Sequence, residues 1–438
     1  MRNYRQLTTA LLVVPIIALF YIGLFLTMQL WYPSGLELSS WYAHLFHFTV
    51  VYLMWLVVLF SYRLFDWDSL RTTQTFLARL LGALLACLVI AVLYFYFQPN
   101  LLITPRRFLL VHLLISGVGI FIWYMIIRNA AIFNRRSNVY IHSSHPSPGE
   151  AQSLIEQHGL LGLNFAGTLQ PNSELVARSI VVVPTRAELS QEDSTALFAL
   201  RNQGIRFVEY HELYESLTRT VHLSVLNELW FLQSIDYGSH QLFDALKRII
   251  DIVLGLLGTV VFLVTLPVIA ALIKITPLFT SGKSSGGVFF SQQRVGQNGR
   301  VFTLYKYRTM DSAAVNNTWT QRGDSRITGI GRALRALRLD ELPQSLNILK
   351  GDMSIVGPRP EQVNIVKELE AQIPYYAERH TVKPGLTGWA QLHVYAGSLE
   401  ETRRKLQYDL YYVKHRSLLF DLEIIIKTFY NVITFSGR

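Results

Sequence analysis

The run IVLGLLGTVVFLVTLPVIAALIKI, Ile252–Ile275, decides how the chain is built. It exceeds the ~20 residues that cross a bilayer as helix, and Lys247, Arg248 and Asp251 stand just before it. Pro267 interrupts it. Proline removes one backbone hydrogen bond and clashes one turn back, which kinks or breaks a helix. As a kinked span, the run would put everything after it outside the cell. As a helix–break–helix over about 248–276, it enters and leaves by one face. The second reading is preferred, because the charged residues downstream read as cytoplasmic.

Four further apolar stretches precede it: Leu7–Trp31, Trp41–Phe60, Phe76–Phe97 and Phe108–Ile127. Each approaches the ~20 residues of a span. The first lacks a small-residue cleavage site, so it is expected to persist rather than act as a signal peptide. Arg2 and Arg5 precede the first span, Arg63 and Arg71 follow the second, and Arg128, Arg135 and Arg136 follow the fourth. Tyr32–Ser40 has no Lys or Arg, so both ends of the bundle are expected in the cytoplasm; Arg106 and Arg107 dissent.

Composition agrees. Of 438 residues, 51% are hydrophobic and only 16% charged, against about 25% charged in a soluble domain. Mean hydropathy is +0.28. These values exclude a disordered chain, a collagen-like repeat and an ordinary cytosolic enzyme. Cys87 stands alone, so no intramolecular disulfide forms. The net charge of +10 suits anionic lipid or phosphate; with charge this sparse, a membrane surface is a better partner than nucleic acid.

Between the spans and the fifth run, short β-rich segments (Val139–His142, Ile180–Val183, Ile205–Val208) alternate with helix-length ones. One helix is expected after Pro148-Gly149 and another between Ser190 and Gly204. That alternation predicts a parallel βαβ-type sheet. The turn Ser143–Gly149 holds one glycine and two prolines, so it cannot form a dinucleotide-binding glycine loop. A scaffold or regulatory role is expected here.

The chemistry-bearing residues follow. Arg332, Arg335 and Arg338 recur every third residue, predicting one side of a helix. Alone, such a stripe reads as a solvated face. Next comes Leu339-Asp340-Glu341-Leu342-Pro343-Gln344, then an apolar helix ending at Gly351. Pro343 fits a first helical turn, placing Asp340 and Glu341 at an anion-attracting N-terminus, where they could also simply cap it. In Gly357-Pro358-Arg359-Pro360, a stiff loop presents one arginine, whose fork suits phosphate. Lys383–Trp389 is a second turn able to cradle a nucleotide. Each signal alone is weak, and a rigid surface turn explains either loop.

Together, Lys247–Asp251, the Pro267-interrupted run, Val288–Gly296, Lys306–Met310, Leu339–Gln344, Gly351–Pro360, Val382–Gln391 and Tyr408–Lys414 form one ordered pattern. It resembles the bacterial sugar transferases, monotopic phosphoglycosyl transferases that start exopolysaccharide or O-antigen units. The likeness spans about Leu246–Ile433, and the upstream layout resembles the family's long form. Members often carry serine just before the break proline, where this chain has Leu266, with Thr265 one residue earlier.

The resemblance implies three parts: a four-span bundle (1–130), a degenerate Rossmann-like module (131–240) and an α-rich monotopic catalytic domain (241–438). It implies transfer of sugar 1-phosphate from a UDP-sugar to polyprenyl phosphate. Asp340 is the implied nucleophile, with Glu341 as second acid of the dyad. Lys306, Arg308, Arg335 and Arg359 would meet phosphate, and Asp340 and Glu341 would hold Mg²⁺. The expected location is the bacterial inner membrane, with catalysis on the cytoplasmic face. A homodimer is compatible. The competing classes are a catalytically silent scaffold of the same fold and a transporter; the scarcity of charge in the spans opposes the latter.

Overall fold

The computed structural model describes residues 2–32, 38–62, 64–65, 73–97, 105–134, 137–158, 163–169, 179–184, 189–200, 204–235, 241–279, 287–310, 326–394 and 398–433. Arg63, Arg71, Arg135 and Arg136, four of the residues used for orientation, lie outside them. The chain divides into two compact units, Met1–Leu217 and Thr218–Arg438.

The first unit opens with α1 (Arg2–Trp31), α2 (Leu38–Ser61), α3 (Thr73–Tyr96) and α4 (Pro105–Asn134). Each contains a stretch long and apolar enough to cross a membrane. Phe20, Leu24, Met28, Trp55, Cys87 and Ile120 point inward, whereas Leu30, Leu53, Leu85 and Leu114 are exposed. Helices apolar on both faces suit a lipid surround. The Tyr52 hydroxyl lies 2.9 Å from His112 Nε2, and Trp55 Nε1 donates to the Cys87 carbonyl at 2.8 Å. Such polar contacts specify helix pairing where no water competes.

The same unit continues with β1 (Ser137–His142), α5 (Pro148–Gln157), β2 (Leu163–Leu169), β3 (Ile180–Val183), α6 (Gln191–Leu200), β4 (Arg206–Glu209) and α7 (Tyr210–Thr218). The strands form one parallel sheet in the order β2-β1-β3-β4. Three strands and two helices lie where the sequence puts them. β2 is additional: its Asn164 and Gly167 mask the strand signal, yet it pairs along all of β1.

The second unit contains α8 (Glu228–Ser234), α9 (Gln241–Phe279), β5 (Phe289–Val295), β6 (Val301–Tyr307), α10 (Gly329–Ala336), α11 (Ser345–Lys350), β7 (Ser354–Val356), α12 (Val363–Gln372), β8 (Gly385–Thr387), α13 (Leu399–His415) and α14 (Leu418–Ile433). Its core joins Val221, Trp230 and Phe231 to Trp389, Leu406, Leu410 and Ile424. This unit therefore begins upstream of residue 241. Arg219 anchors that start: its guanidinium meets Glu423 at 2.5 and 2.9 Å and lies 4.4 Å over the Trp389 ring.

α9 corrects one expectation. It is a single helix that runs through Pro267 rather than two half-helices with a gap. Packing accounts for this, because Leu266 before the proline and Ile269 and Ile273 after it share one cluster with Tyr307 and Leu334. From Lys247 to Ile273, α9 is one-sided. Lys247, Arg248, Asp251 and Thr259 bond to Asp421, the Ile348 carbonyl, Ser354 and Ser345, and Phe262 and Ile273 continue that stripe. Val253, Leu257, Val260, Val264 and Val268 are exposed on the other side. From Lys247 to Ile273 the stripe is about 39 Å long at ~1.5 Å per residue.

Candidate active site

Two local features bring the acids to one place. α10 starts at Thr328, whose hydroxyl accepts from the Gly331 N–H at 3.0 Å, and ends at Ala336. Arg338 therefore leaves the expected stripe. At φ 56° it adopts the left-handed conformation, which costs a non-glycine residue roughly 1–2 kcal/mol, and it turns the chain into a 3₁₀ helix, Leu339–Gln344. Asp340 and Glu341 occupy the first turn of that helix, and α11 follows to Gly351, whose φ of 89° closes it.

α11 is fastened on two sides. Gly255 and Gly258 of α9 let it approach, since a Cβ on either would press on Ile348, Leu349 or Ser345. Asn347 substitutes for a strand: Nδ2 donates to the Thr303 carbonyl at 2.7 Å, and Oδ1 accepts from the Tyr305 N–H at 3.2 Å. Lys306, next along β6, is thereby delivered to the acids.

Three cations converge on one oxygen. Glu341 Oε1 lies 2.9 Å from Arg359, 3.1 Å from Lys306 and 3.7 Å from Arg338. Burial pushes the Glu341 carboxyl up, but these neighbours outweigh it and hold it far below the usual carboxylate range. Lys306 is pulled down by burial despite Glu341. Asp340 is the opposite case. Burial and then the Glu341 charge raise its carboxyl, and Lys306, Arg335 and Arg338 only partly oppose this. Asp340 Oδ1 is buried without a hydrogen-bond partner. An orphaned buried carboxylate oxygen is costly, which makes Asp340 Oδ1 a candidate contact for a ligand.

Of the predicted residues, Lys306, Arg359, Asp340 and Glu341 come together. Arg335 donates to Thr309 Oγ1 at 2.9 Å and contributes its charge to Asp340. Arg308 is buried with NH1 unpartnered and pairs with neither acid among the described residues. Arg338 reaches Glu341 although its spacing predicts the helix stripe; its left-handed backbone sets that direction.

The Lys383–Trp389 turn is also not an open nucleotide cradle. Its Gly385 N–H donates to the Pro358 carbonyl, the Gly357 N–H donates to Thr387, and Trp389 is buried against Arg219. It backs the Arg359 loop, and a Cβ on Gly357 or Gly385 would collide with the opposing backbone.

No group of three metal-ligating side chains occurs among the described residues. Asp340 Oδ1 is the kind of buried oxygen a hard divalent cation takes, for which one or two carboxylates plus phosphate and water suffice. Glu341 Oε1 already meets three cations, so that oxygen is the poorer ligand.

Residues 242–435 match the family described as Bacterial sugar transferase. A UDP-N-acetylgalactosamine-undecaprenyl-phosphate N-acetylgalactosaminephosphotransferase of Aeromonas hydrophila is 39% identical over 233 residues, 52% of this chain and 53% of the relative. This chain thus spans about half the length of that relative. A UDP-glucose:undecaprenyl-phosphate glucose-1-phosphate transferase of Caulobacter vibrioides is 39% identical over 44% of this chain and 71% of its own. The exopolysaccharide production protein PSS of Rhizobium leguminosarum is 37% identical over 43% of this chain and 96% of its own.

Proposed function

Because the chain belongs to the bacterial sugar transferase family, we propose that it transfers sugar 1-phosphate from a UDP-sugar to polyprenyl phosphate, releasing UMP and initiating polysaccharide repeat units. The observation that carries this reading is the unequal pair of acids: one neutralised by three cations, the other buried with an unpartnered oxygen.

Asp340 attacks the β-phosphorus of the donor. A bond forms from its carboxylate to phosphorus, and the bond from phosphorus to the bridging oxygen breaks, so that oxygen departs with UMP. A polyprenyl phosphate oxygen then attacks the phosphosugar–aspartate, and cleavage of the aspartyl–phosphorus bond frees Asp340 and gives the lipid diphosphosugar. Donor, acceptor and nucleophile are all anionic, so approach needs positive charge already in place. Lys306, Arg359 and Arg338 supply it, and Glu341 holds those three side chains at one point. Mg²⁺, bound by Asp340 together with substrate oxygens, would add charge neutralisation.

The one-sided packing of α9 supports a site at the membrane interface. A helix with a charged domain along ~40 Å of one side cannot be surrounded by lipid over that length. Its exposed side enters the membrane while the domain stays in the cytoplasm, at the inner membrane, where polyprenyl phosphate presents its headgroup.

Purified protein incubated with several UDP-sugars and polyprenyl phosphate, scored for UMP, tests the activity. Donor radiolabelled in its β-phosphate should mark the polypeptide when acceptor is omitted. Lipid product without any labelling would mean direct displacement.

A further inference from the structure

The loop carrying Arg359 cannot hold itself. Pro358 and Pro360 have no N–H, so the backbone groups of Pro358–Glu361 must find partners elsewhere. Four successive carbonyls do so: Pro358 accepts from the Gly385 N–H at 2.9 Å, Arg359 from Arg379 NH2 at 3.0 Å, Pro360 from Arg294 NH1 at 3.0 Å, and Glu361 from the Val295 N–H at 3.0 Å. The donor to Arg359 is unusual. Arg379 is 1% exposed, deep enough that its charge needs a dedicated counter-ion. Asp409 of α13, equally buried, provides it. Asp409 Oδ2 takes Nε at 2.9 Å and NH2 at 2.7 Å, while NH1 donates to the Tyr376 hydroxyl at 3.0 Å. Every arm of the fork is used, and one arm ends on the backbone of the residue that touches Glu341.

We propose that Arg379, oriented by Asp409, is a positioning residue for the transfer reaction: it fixes the Arg359 backbone and so the point where the Arg359 guanidinium meets Glu341 and the incoming phosphate. Lysine would keep the charge beside Asp409 but has no planar fork to serve the Arg359 carbonyl in the same geometry. This rests on the proposed activity.

The test is a double-mutant cycle on the full chain in lipid nanodiscs, using UMP release and thermal unfolding as parallel readouts. Arg379→Lys should lower kcat/KM for the UDP-sugar at least tenfold in the parent. In an Arg359→Ala background it should lower it less than twofold further, because the effect passes through Arg359. The stability loss, in contrast, should be the same in both backgrounds. If the activity losses multiply, Arg379 does not act through Arg359 and the proposal is wrong. If Arg379→Lys does not fold, Asp409→Asn enters the same cycle with the same expected outcomes. A parent chain that releases no UMP from any donor would instead overturn the activity, and the positioning role with it.

Discussion

Arg359 NH2 lies 2.9 Å from Glu341 Oε1, on the oxygen that Lys306 also reaches at 3.1 Å. This division of labour leaves the adjacent Asp340 buried, less well compensated, and with Oδ1 unpartnered. Two neighbouring carboxylates therefore differ in charge compensation because their surroundings differ.

Asp340→Asn should abolish UMP release and covalent labelling without harming the fold. The Asp340 carboxyl is raised by burial and by Glu341. A raised acid binds its proton more tightly folded than unfolded, so its ionisation opposes folding at pH above the folded pKa. Asparagine removes that penalty. At pH 7 the inactive variant should melt at or above the parent temperature; a markedly lower melt would contradict the charge assignment.

Acid should destabilise the C-terminal unit through Glu361. Burial pushes this carboxyl up, but Lys405, Arg379 and Arg294 bring it down to about 2. The stabilisation is fully present above the unfolded value near 4.3 and is lost as pH falls through the folded one. Melting temperature should drop between about pH 4.5 and 2, with Glu361 accounting for on the order of 3 kcal/mol. Glu361→Gln should start less stable and show a shallower decline. Equal slopes in the two proteins would remove Glu361 from the account.

Gly331→Ala should disturb the site from behind. A Cβ there would sit well inside van der Waals contact with the Thr309 carbonyl, so α10 must move away from the strand end that Arg335 grips. A loss of about 1–3 kcal/mol is expected from such overpacking, with at least a tenfold fall in turnover. Full activity would show that α10 shifts freely.

Cysteines at Ser153 and Glu370, both exposed positions, should react with an impermeant reagent from the same side of sealed vesicles. If α9 crossed the membrane, only one of them would be labelled. Opposite labelling would reverse the interfacial assignment.

Much of this site was legible before the structure. Asp340-Glu341 before Pro343 and the lone arginine of Gly357–Pro360 stand out by residue type and spacing, whereas Lys306 stands out only through the family resemblance. The turn Lys383–Trp389 misleads for a physical reason: the Gly385 N–H that looks available for a ligand is bonded to the Pro358 carbonyl of a second turn brought in by β7–β8 pairing. Arg338 was hidden because a single positive φ, not periodicity, sets its direction. Arg379 and Asp409 were silent because an ion pair thirty positions apart leaves no local pattern.

The sequence by itself determined five helices able to cross or enter a membrane, most of a parallel sheet, and which acidic and basic side chains are candidates for the site. Those follow from hydrophobic period, length and side-chain chemistry, which are local. Only the tertiary structure decided which acid is neutralised, that α9 runs on through Pro267, and what braces the Arg359 loop. Those depend on charges and carbonyls meeting across distant segments, where burial strengthens each pairing and penalises each group left alone.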